Sequence, residues 1–409
     1  ISILIDCPKY YIVLDAGNGI AKLEKYTCED KPVYLFIRHF HLDHIVGLHT
    51  ISMNRFSRGL SILVQEGGKD ILVKREIPDH SAAIELVLDM LSEDTIDAVG
   101  HRIVHGGEEF REAVVIDEHV VESLMRLEVL APLHMAPNIA GVSACMRLLP
   151  GIPMVAVFDT AYHQTMSERA FLYGLPLRAY KKHKVRRYGF HGTSHQYVAK
   201  RVRQILKCNT EGLRIISCHL GNGASVTAIK YGAVIDTSMG FTPLEGLVMG
   251  TRCGDIDPTI VQYLMNAMNM TIDETMQYLN TKSGVLGLSG VSRDFRDLFV
   301  AARTGNRNAE NAIELFCYRV KKYIGAYVAA MGNVDVIAFT GGIGENSPEI
   351  RERVMGDMDF LDIRIGHERN YAQKGERIIS EEDSGVTVLV VPANEEMMIA
   401  KETYKLLKR

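Results

Sequence analysis

The sequence predicts an α/β protein of two or three domains, and three observations carry that expectation. Apolar runs of strand length alternate with segments of helical periodicity along the whole chain. Several of those runs end in Gly, Asn, Asp or His, and in open α/β sheets ligands gather at the carboxyl ends of strands. The chain has 409 residues, too many for one small core.

In order, Tyr11–Leu14 and residues 33–37 read as strands. Residues 82–91 have amphipathic helical spacing and precede a strand over 98–104. Met154–Phe158 is a short apolar run suited to burial on both faces. Residues 215–219 and 225–229 read as strands across a Gly-rich turn, with 233–235 as a third after Tyr231-Gly232. Residues 309–331 carry an apolar stripe at helical spacing. Residues 334–339 and 386–391 are further apolar strands, and a helix over Glu395–Leu407 closes the chain.

Composition narrows the function classes. Hydrophobic residues make up 47% and charged residues 23%, the balance of a globular protein. With 46 basic against 50 acidic residues the net charge is -4, which argues against a dedicated nucleic-acid or anionic-membrane binder. No apolar run is long enough to span a bilayer, and residues 1–10 do not read as a signal peptide. The first residue is Ile, so a processed or truncated chain is expected. The 7 cysteines are scattered without a C-x-x-C, which excludes a disulfide framework and fits a reducing cytoplasm.

Two glycine-rich segments follow strands directly. His219-Leu220-Gly221-Asn222-Gly223 can bring backbone N–H groups close to an anion, although Asn-Gly is also the commonest hairpin signal. Thr340-Gly341-Gly342-Ile343-Gly344-Glu345-Asn346 precedes Ser347, a candidate N-cap, and Pro348, a candidate first helical residue. A glycine run before a helix N-terminus suits phosphate approach, with a plain tight turn as the alternative. Neither segment is a Walker A or G-x-G-x-x-G fingerprint. Four polar positions stand beside glycines or at the end of an apolar strand: Arg102, Asp159, His191 and Arg252. A single such residue is usually a satisfied core or surface group. Two Arg, one His and one Asp near a phosphate loop are what phosphoryl transfer needs.

From about residue 58 to the C-terminus the chain resembles the acetate kinase (acetokinase) family. The matching stretches include GHRIVHGGEEF, APLHMAPN, VAVFDTAYHQTM, RRYGFHGTSH, CHLGNGASVTAI, DTSMGFTPLEGLVMGTRCGDIDP, FTGGIGENSPEIR and VPANEE, in the family's order. The resemblance implies the two-domain fold of the acetate and sugar kinase/Hsc70/actin superfamily (ribonuclease H-like), with an interdomain cleft. It implies ATP:acetate phosphotransfer giving acetyl phosphate and ADP, with Mg (or Mn), a cytoplasmic location and a homodimer. Propionate kinase is the neighbouring alternative, and an impaired ATP-binding kinase body another. The implied catalytic residues are Asp159, Arg102, His191 and Arg252. Those implied for the acid are Arg102, Val104, Leu133, His134, Phe190 and Pro243. For ATP they are His219, Leu220, Gly221, Asn222 and Gly223, then Asp294, Phe295 and Arg296, then Gly342, Ile343, Gly344, Glu345 and Asn346. Glu395 is the implied Mg ligand.

The start of the chain departs from this pattern. The family's opening Asn-Ala-Gly-Ser-Ser-Ser-Leu-Lys loop is absent. Residues 1–55 instead resemble a metallo-β-lactamase-fold hydrolase, in which His39, His41, Asp43 and His44 match a zinc motif. The further ligands of such a site are missing, so these residues form at most a vestigial zinc motif, and a zinc-dependent hydrolase is the least favoured function. Residues 13–22 can also be laid over the missing loop, with Asp15 as a second Mg ligand. That substitution requires Tyr11–Leu14 to join the first kinase sheet. The expected domains are 1–57 as the hydrolase-like fragment, 58–158 with 394–409, and 159–393.

Overall fold

The computed structural model describes residues 96–207, 212–372 and 375–408, together with Ile84 and five strands nearer the N-terminus. The chain divides into two compact units: Ile1–Tyr162 with Gly192–Ser194 and Asn394–Arg409, and His163–His191 with His195–Ala393.

In the first unit Val99–Ile103 pairs in parallel with Met154–Phe158, in the register Val99↔Met154 and Ile103↔Phe158. Val114–Val115 adds antiparallel to the other edge of Met154–Phe158. Both longer strands are buried along their whole length, as continuous apolar runs should be. Between them the chain forms the helices Glu118–Leu127 and Pro132–Leu148. The first starts at Asp117, whose carboxylate accepts the Val120 N–H at 2.8 Å. Ile103, Leu124, Met135, Val142, Val155, Phe158 and Ile399 belong to one core, in which the Phe110 and Phe158 rings stack at 4.6 Å. Ile399 comes from the closing helix, Glu395–Leu407, so the end of the chain completes the core of its beginning.

Nearer the N-terminus, Tyr11–Leu14 pairs antiparallel with Ile3–Asp6 and in parallel with Val33–Phe36. These three form their own sheet, separate from that of Val99–Ile103. Among the described residues Tyr11–Leu14 therefore shares no ladder with that sheet, which its substitution for the first kinase strand requires. Leu60–Glu66 and Lys69–Arg75 make a two-stranded antiparallel pair. Of the expected helix over 82–91, only Ile84 is described, and it is helical.

The second unit is built on a six-stranded sheet in the order Ala233–Thr237, Ala224–Lys230, Arg214–Leu220, Val336–Thr340, Thr387–Val390, Arg377–Ile378. Its centre is parallel, with Thr340 opposite His219 and Val336 opposite Thr387. The helix Arg307–Met331 opens at Asn306, which caps Ala309 N–H at 3.0 Å, and buries Ile313, Phe316, Val320 and Ile324 at helical spacing. The parallel register brings the two glycine-rich segments side by side at the carboxyl ends of adjacent strands. Among the described residues no helix is long and apolar enough to cross a membrane.

Candidate active site

In the first unit the parallel pairing sets Arg102 opposite Val157, two residues before Asp159. Arg102 is 8% exposed and Asp159 1%. The guanidinium donates from Nε to both carboxylate oxygens, at 2.9 and 2.8 Å, and from Nη2 to Oδ2. Thr193 donates to Oδ1 at 3.2 Å, and Gly192 N–H donates to the Asp159 carbonyl at 2.9 Å. A buried charge pair persists only when geometry and extra hydrogen bonds compensate desolvation, and this pair has both. The turn after Arg102 is fastened separately. Val104 N–H reaches Asn138 Oδ1 and Gly106 N–H reaches Thr160 Oγ1, each at 2.9 Å. His105 accepts Gly107 N–H on Nδ1, and burial pushes its pKa down to about 3, so it is a neutral structural group. His134 lies half-buried in the first turn of Pro132–Leu148, which also includes Leu133.

Glu395 is the first residue of the closing helix, behind the cap Asn394, which accepts Met397 N–H at 3.1 Å. The Glu395 side chain is buried, and its Oε1 has no hydrogen-bond partner among the described residues. An orphaned buried carboxylate oxygen is what a bound cation would satisfy. No group of three or more His, Cys, Asp or Glu able to hold a metal occurs among the described residues. One carboxylate fits Mg²⁺, which keeps waters and takes its other ligands from substrate phosphates.

In the second unit His219-Leu220-Gly221-Asn222-Gly223 turns between two antiparallel strands, with Leu220 opposite Ala224 and Gly221 N–H bonded to Gly223 O at 3.0 Å. The hairpin reading and the close-approach reading thus describe one turn. A Cβ added at Gly223 would stand 3.4 Å from Arg252 Nη1 and 3.4 Å from His191 Nε2. Glycine leaves that space to the two side chains. His191 stands at the N-cap position of the helix Gly192–Leu206, without a side-chain capping bond, at φ 59° and ψ 23° in the left-handed region. That conformation costs a non-glycine residue about 1–2 kcal/mol, and such strain concentrates at functional sites. The His191 ring stacks on His219 at 4.3 Å. Arg252 Nη1 points at Pro243 O at 3.5 Å. Phe190 is buried, and its carbonyl meets His163 Nε2 at 2.9 Å.

On the same sheet, Gly341–Asn346 forms a short helix of its own, a correction to the glycine loop expected there. Asn346 Nδ2 closes it by donating to Gly342 O at 2.8 Å. Pro348 begins the next helix as expected, but the Ser347 hydroxyl makes no capping bond to it. Arg351, 1% exposed, holds this corner by donating to the carbonyls of Gly344 and Glu345 at 2.8 and 3.0 Å and to Asn370. Glu345 accepts Ala393 N–H at 2.8 Å. Asp294 caps Phe295–Arg303 by accepting Arg296 N–H at 2.9 Å, and it also pairs with the exposed Arg296 side chain.

The structure thus brings Arg102 and Asp159 together in the first unit, and His191, His219, Gly223 and Arg252 in the second. Val104, His134 and Glu395 belong to the first unit; Phe190, Pro243 and the nucleotide-side residues belong to the second. Asp15, His39, His41, Asp43 and His44 lie outside the described residues. Sequence reasoning passed over His195, Ser217 and Ser225, which make a hydrogen-bonded chain behind His191. Their signal was in hand, since His195 ends RRYGFHGTSH and Ser217 and Ser225 flank the Gly-rich turn. It also passed over Arg187, which bonds Glu245 and the carbonyls of Thr237, Ser238 and Met239.

The model of the acetokinase family matches residues 46–401. An acetate kinase from Natranaerobius thermophilus is 52% identical over 407 residues, covering 97% of this chain and 99% of that protein. That alignment leaves out only about 3% of the chain, so most of residues 1–57 pair with a kinase. The crystal structure of Porphyromonas gingivalis acetate kinase superposes with a TM-score of 0.81 at 47% identity, covering 85% of this chain and 90% of that one. A propionate kinase from Francisella tularensis gives the same TM-score at 39% identity, with the same two coverages. With a family match across most of its length and the family's fold in both units, the chain belongs to the acetokinase family.

Proposed function

We propose that this protein catalyses reversible, Mg-dependent transfer of a phosphoryl group from ATP to acetate, giving acetyl phosphate and ADP. The observation that carries the reading is the convergence of His191 Nε2 and Arg252 Nη1 on the Gly223 turn. Two side-chain donors aimed at a backbone hollow suit the charge that spreads over the equatorial oxygens of a phosphoryl group in flight. Acetate is ionised at neutral pH and needs no general base to attack. The difficulty is to bring two anions together. In this reading Arg102, pinned by Asp159, holds the carboxylate, and His191 and Arg252 take up the developing charge. Residues 219–223 meet the phosphates, while Asp294–Arg296 and Gly342–Asn346 serve the nucleotide. The acetokinase resemblance assigns Val104, Leu133 and His134 of the first unit, and Phe190 and Pro243 of the second, to the acid. Glu395 would hold Mg²⁺, which would supply positive charge to the substrate phosphates.

The test is hydroxylamine trapping of acetyl phosphate made from ATP, Mg²⁺ and acetate, with Asp159→Asn in parallel. A hydroxamate signal that falls at least about a thousandfold in the variant supports the reading. A wild-type protein that binds ATP but traps nothing would sink it. Propionate is run beside acetate, because the Francisella relative is titled a propionate kinase and one methylene separates the two acids by only ~1–3 kcal/mol.

Two further expectations belong here. A homodimer is supported by the helix Thr259–Met268, which buries none of its residues and exposes Ile260, Tyr263 and Met268. Light scattering that gives one chain's mass would overturn it. A cytoplasmic location is supported by the unpaired thiols of Cys145, Cys218, Cys253 and Cys317.

A further inference from the structure

Behind His191 runs a line of buried groups that the phosphoryl chemistry does not itself use. His191 Nδ1 lies 2.9 Å from Ser225 Oγ. The same hydroxyl lies 2.8 Å from His195 Nε2, and His195 Nδ1 lies 2.8 Å from Ser217 Oγ. Ser225, His195 and Ser217 are fully buried. Burial, with His163 and His219 nearby, holds His195 well below its ordinary pKa, so it stays neutral. A neutral imidazole donates through one nitrogen and accepts through the other, and a serine hydroxyl has one proton to give. The line can therefore be polarised in only two ways. In one, Ser217 donates to His195, His195 to Ser225, and Ser225 to His191 Nδ1. His191 is then neutral with its hydrogen on Nε2. In the other, every donor reverses, and Ser225 accepts from His191 Nδ1, of either a doubly protonated ring or a neutral ring with its hydrogen on Nδ1. Only the first line and the cation leave a hydrogen on Nε2.

We infer that Ser225, backed by His195 and Ser217, is a positioning unit that keeps a hydrogen on Nε2 of His191 in both its neutral and its charged forms. Nε2 is the atom beside Gly223 and Arg252. Which ring nitrogen is protonated follows from the hydrogen bond made by the other. With Ser225 as a reversible partner, His191 remains a donor to an anion without having to hold a charge. At the left-handed position of His191, Nδ1 meets Ser225 and Nε2 faces the Gly223 turn.

The inference rests on the proposed meeting of His191 with the phosphoryl group, and the experiment separates the two. Nitrogen-15 NMR of the histidine side chains, with His191 assigned from His191→Gln, reads the tautomer without turnover. The wild type is expected to show neutral His191 in the Nε2–H form alone. Ser225→Ala is expected to mix the tautomers and lower kcat about 10- to 100-fold, with KM for ATP and acid changed less than about threefold. Ser225→Thr, which keeps the hydroxyl, should restore both. A wild-type ring carrying its hydrogen on Nδ1 overturns the inference, as does an unchanged tautomer in folded Ser225→Ala. Should Ser225→Ala not fold, Ser217→Ala puts the same question one link further back: mixed tautomers support the inference and an unchanged tautomer overturns it. Full activity in His191→Gln would instead remove the phosphoryl role, and the tautomer would still decide for or against the relay.

Discussion

Asp159 sits under two demands that one carboxylate meets together. Its oxygens neutralise the buried Arg102, and its backbone ties the end of its strand to neighbouring segments, through Ile103 O and Gly192 N–H. Asp159→Asn keeps the shape but leaves Arg102 buried beside a neutral group, a change worth about 3–5 kcal/mol when one partner of a buried pair is removed. Denaturant unfolding should show that loss alongside the lost activity, and a variant as stable as wild type would mean the pair is not desolvated as drawn. Glu395 is the opposite case, a carboxylate whose Oε1 finds no protein donor among the described residues. Glu395→Gln should raise the Mg²⁺ concentration for half-maximal activity by about 10- to 100-fold and leave the melting temperature in EDTA nearly unchanged. An unaltered Mg²⁺ titration would assign that buried oxygen some other role.

At the scale of elements, the hairpin between Arg214–Leu220 and Ala224–Lys230 is shaped by what must pass over it. Asn222 is clasped on its far side, with Gly250 N–H on its carbonyl at 3.0 Å. A Cβ at Gly250 would lie 2.1 Å from Asn222 Oδ1. Gly223→Ala fills the hollow between His191 and Arg252 without touching the ladder, so the fold should survive. The value of kcat/KM for ATP should drop at least about tenfold, and steady-state kinetics would show it. The loop after Ala233–Thr237 is held from another direction. Arg187 pairs with Glu245 and caps three carbonyls, Tyr173 bonds Glu245, and Tyr323 bonds Asp255, which in turn accepts Gly246 N–H. Burial, with Glu245 beside it, keeps the Tyr173 phenol well above its ordinary range and so protonated as a donor. Arg187→Met should cost about 3–5 kcal/mol, read as a lowered melting temperature. The helix Ile272–Thr281 has a complete capping box between Thr271 and Glu274, and Thr271→Ala should cost about 1 kcal/mol.

For the molecule as a whole, buried neutral histidines set the response to acid. His105 is held at about 3 by burial, against an ordinary value of 6.5, and His195 is lowered for the same reason. Between those values the unfolded chain binds protons that the folded chain refuses. Stability is therefore complete above pH 6.5 and falls as the pH drops below it, by about 1.4 kcal/mol per unit for each such group. Urea unfolding at a series of pH values from 7.5 to 5 should show the decline, and His105→Asn should make it shallower. A curve that stays flat down to pH 5 would mean these rings accept protons in the folded state. Cys145 and Cys317 are both pushed up to about 12 by burial, which leaves them as inert thiols at any pH where the protein is folded.

Fold class, most element positions and the chemistry were legible from local sequence alone. Strands such as Met154–Phe158 are continuous apolar runs, and Glu395–Leu407 shows its helix through spacing alone, because local periodicity reflects local burial. The Gly-rich turns and the four polar positions beside glycines or at strand ends were visible for a related reason, since nothing in folding asks for them. The partnerships between distant residues were not. Arg102 and Asp159 are 57 residues apart, and His191 and Ser225 are 34 apart. Arg102 and Asp159 meet because a parallel register sets their strands side by side, and His191 meets Ser225 where the start of a helix reaches the hairpin; no single stretch encodes either meeting. The conversion of Gly341–Asn346 into a helix was hidden too, because glycine weakens the helical signal while Arg351, buried one helix later, supplies the bonds that hold the corner. The sheet that Tyr11–Leu14 joins was open for the same physical reason: an apolar strand shows that it will pair, and only the assembled chain decides with which neighbour.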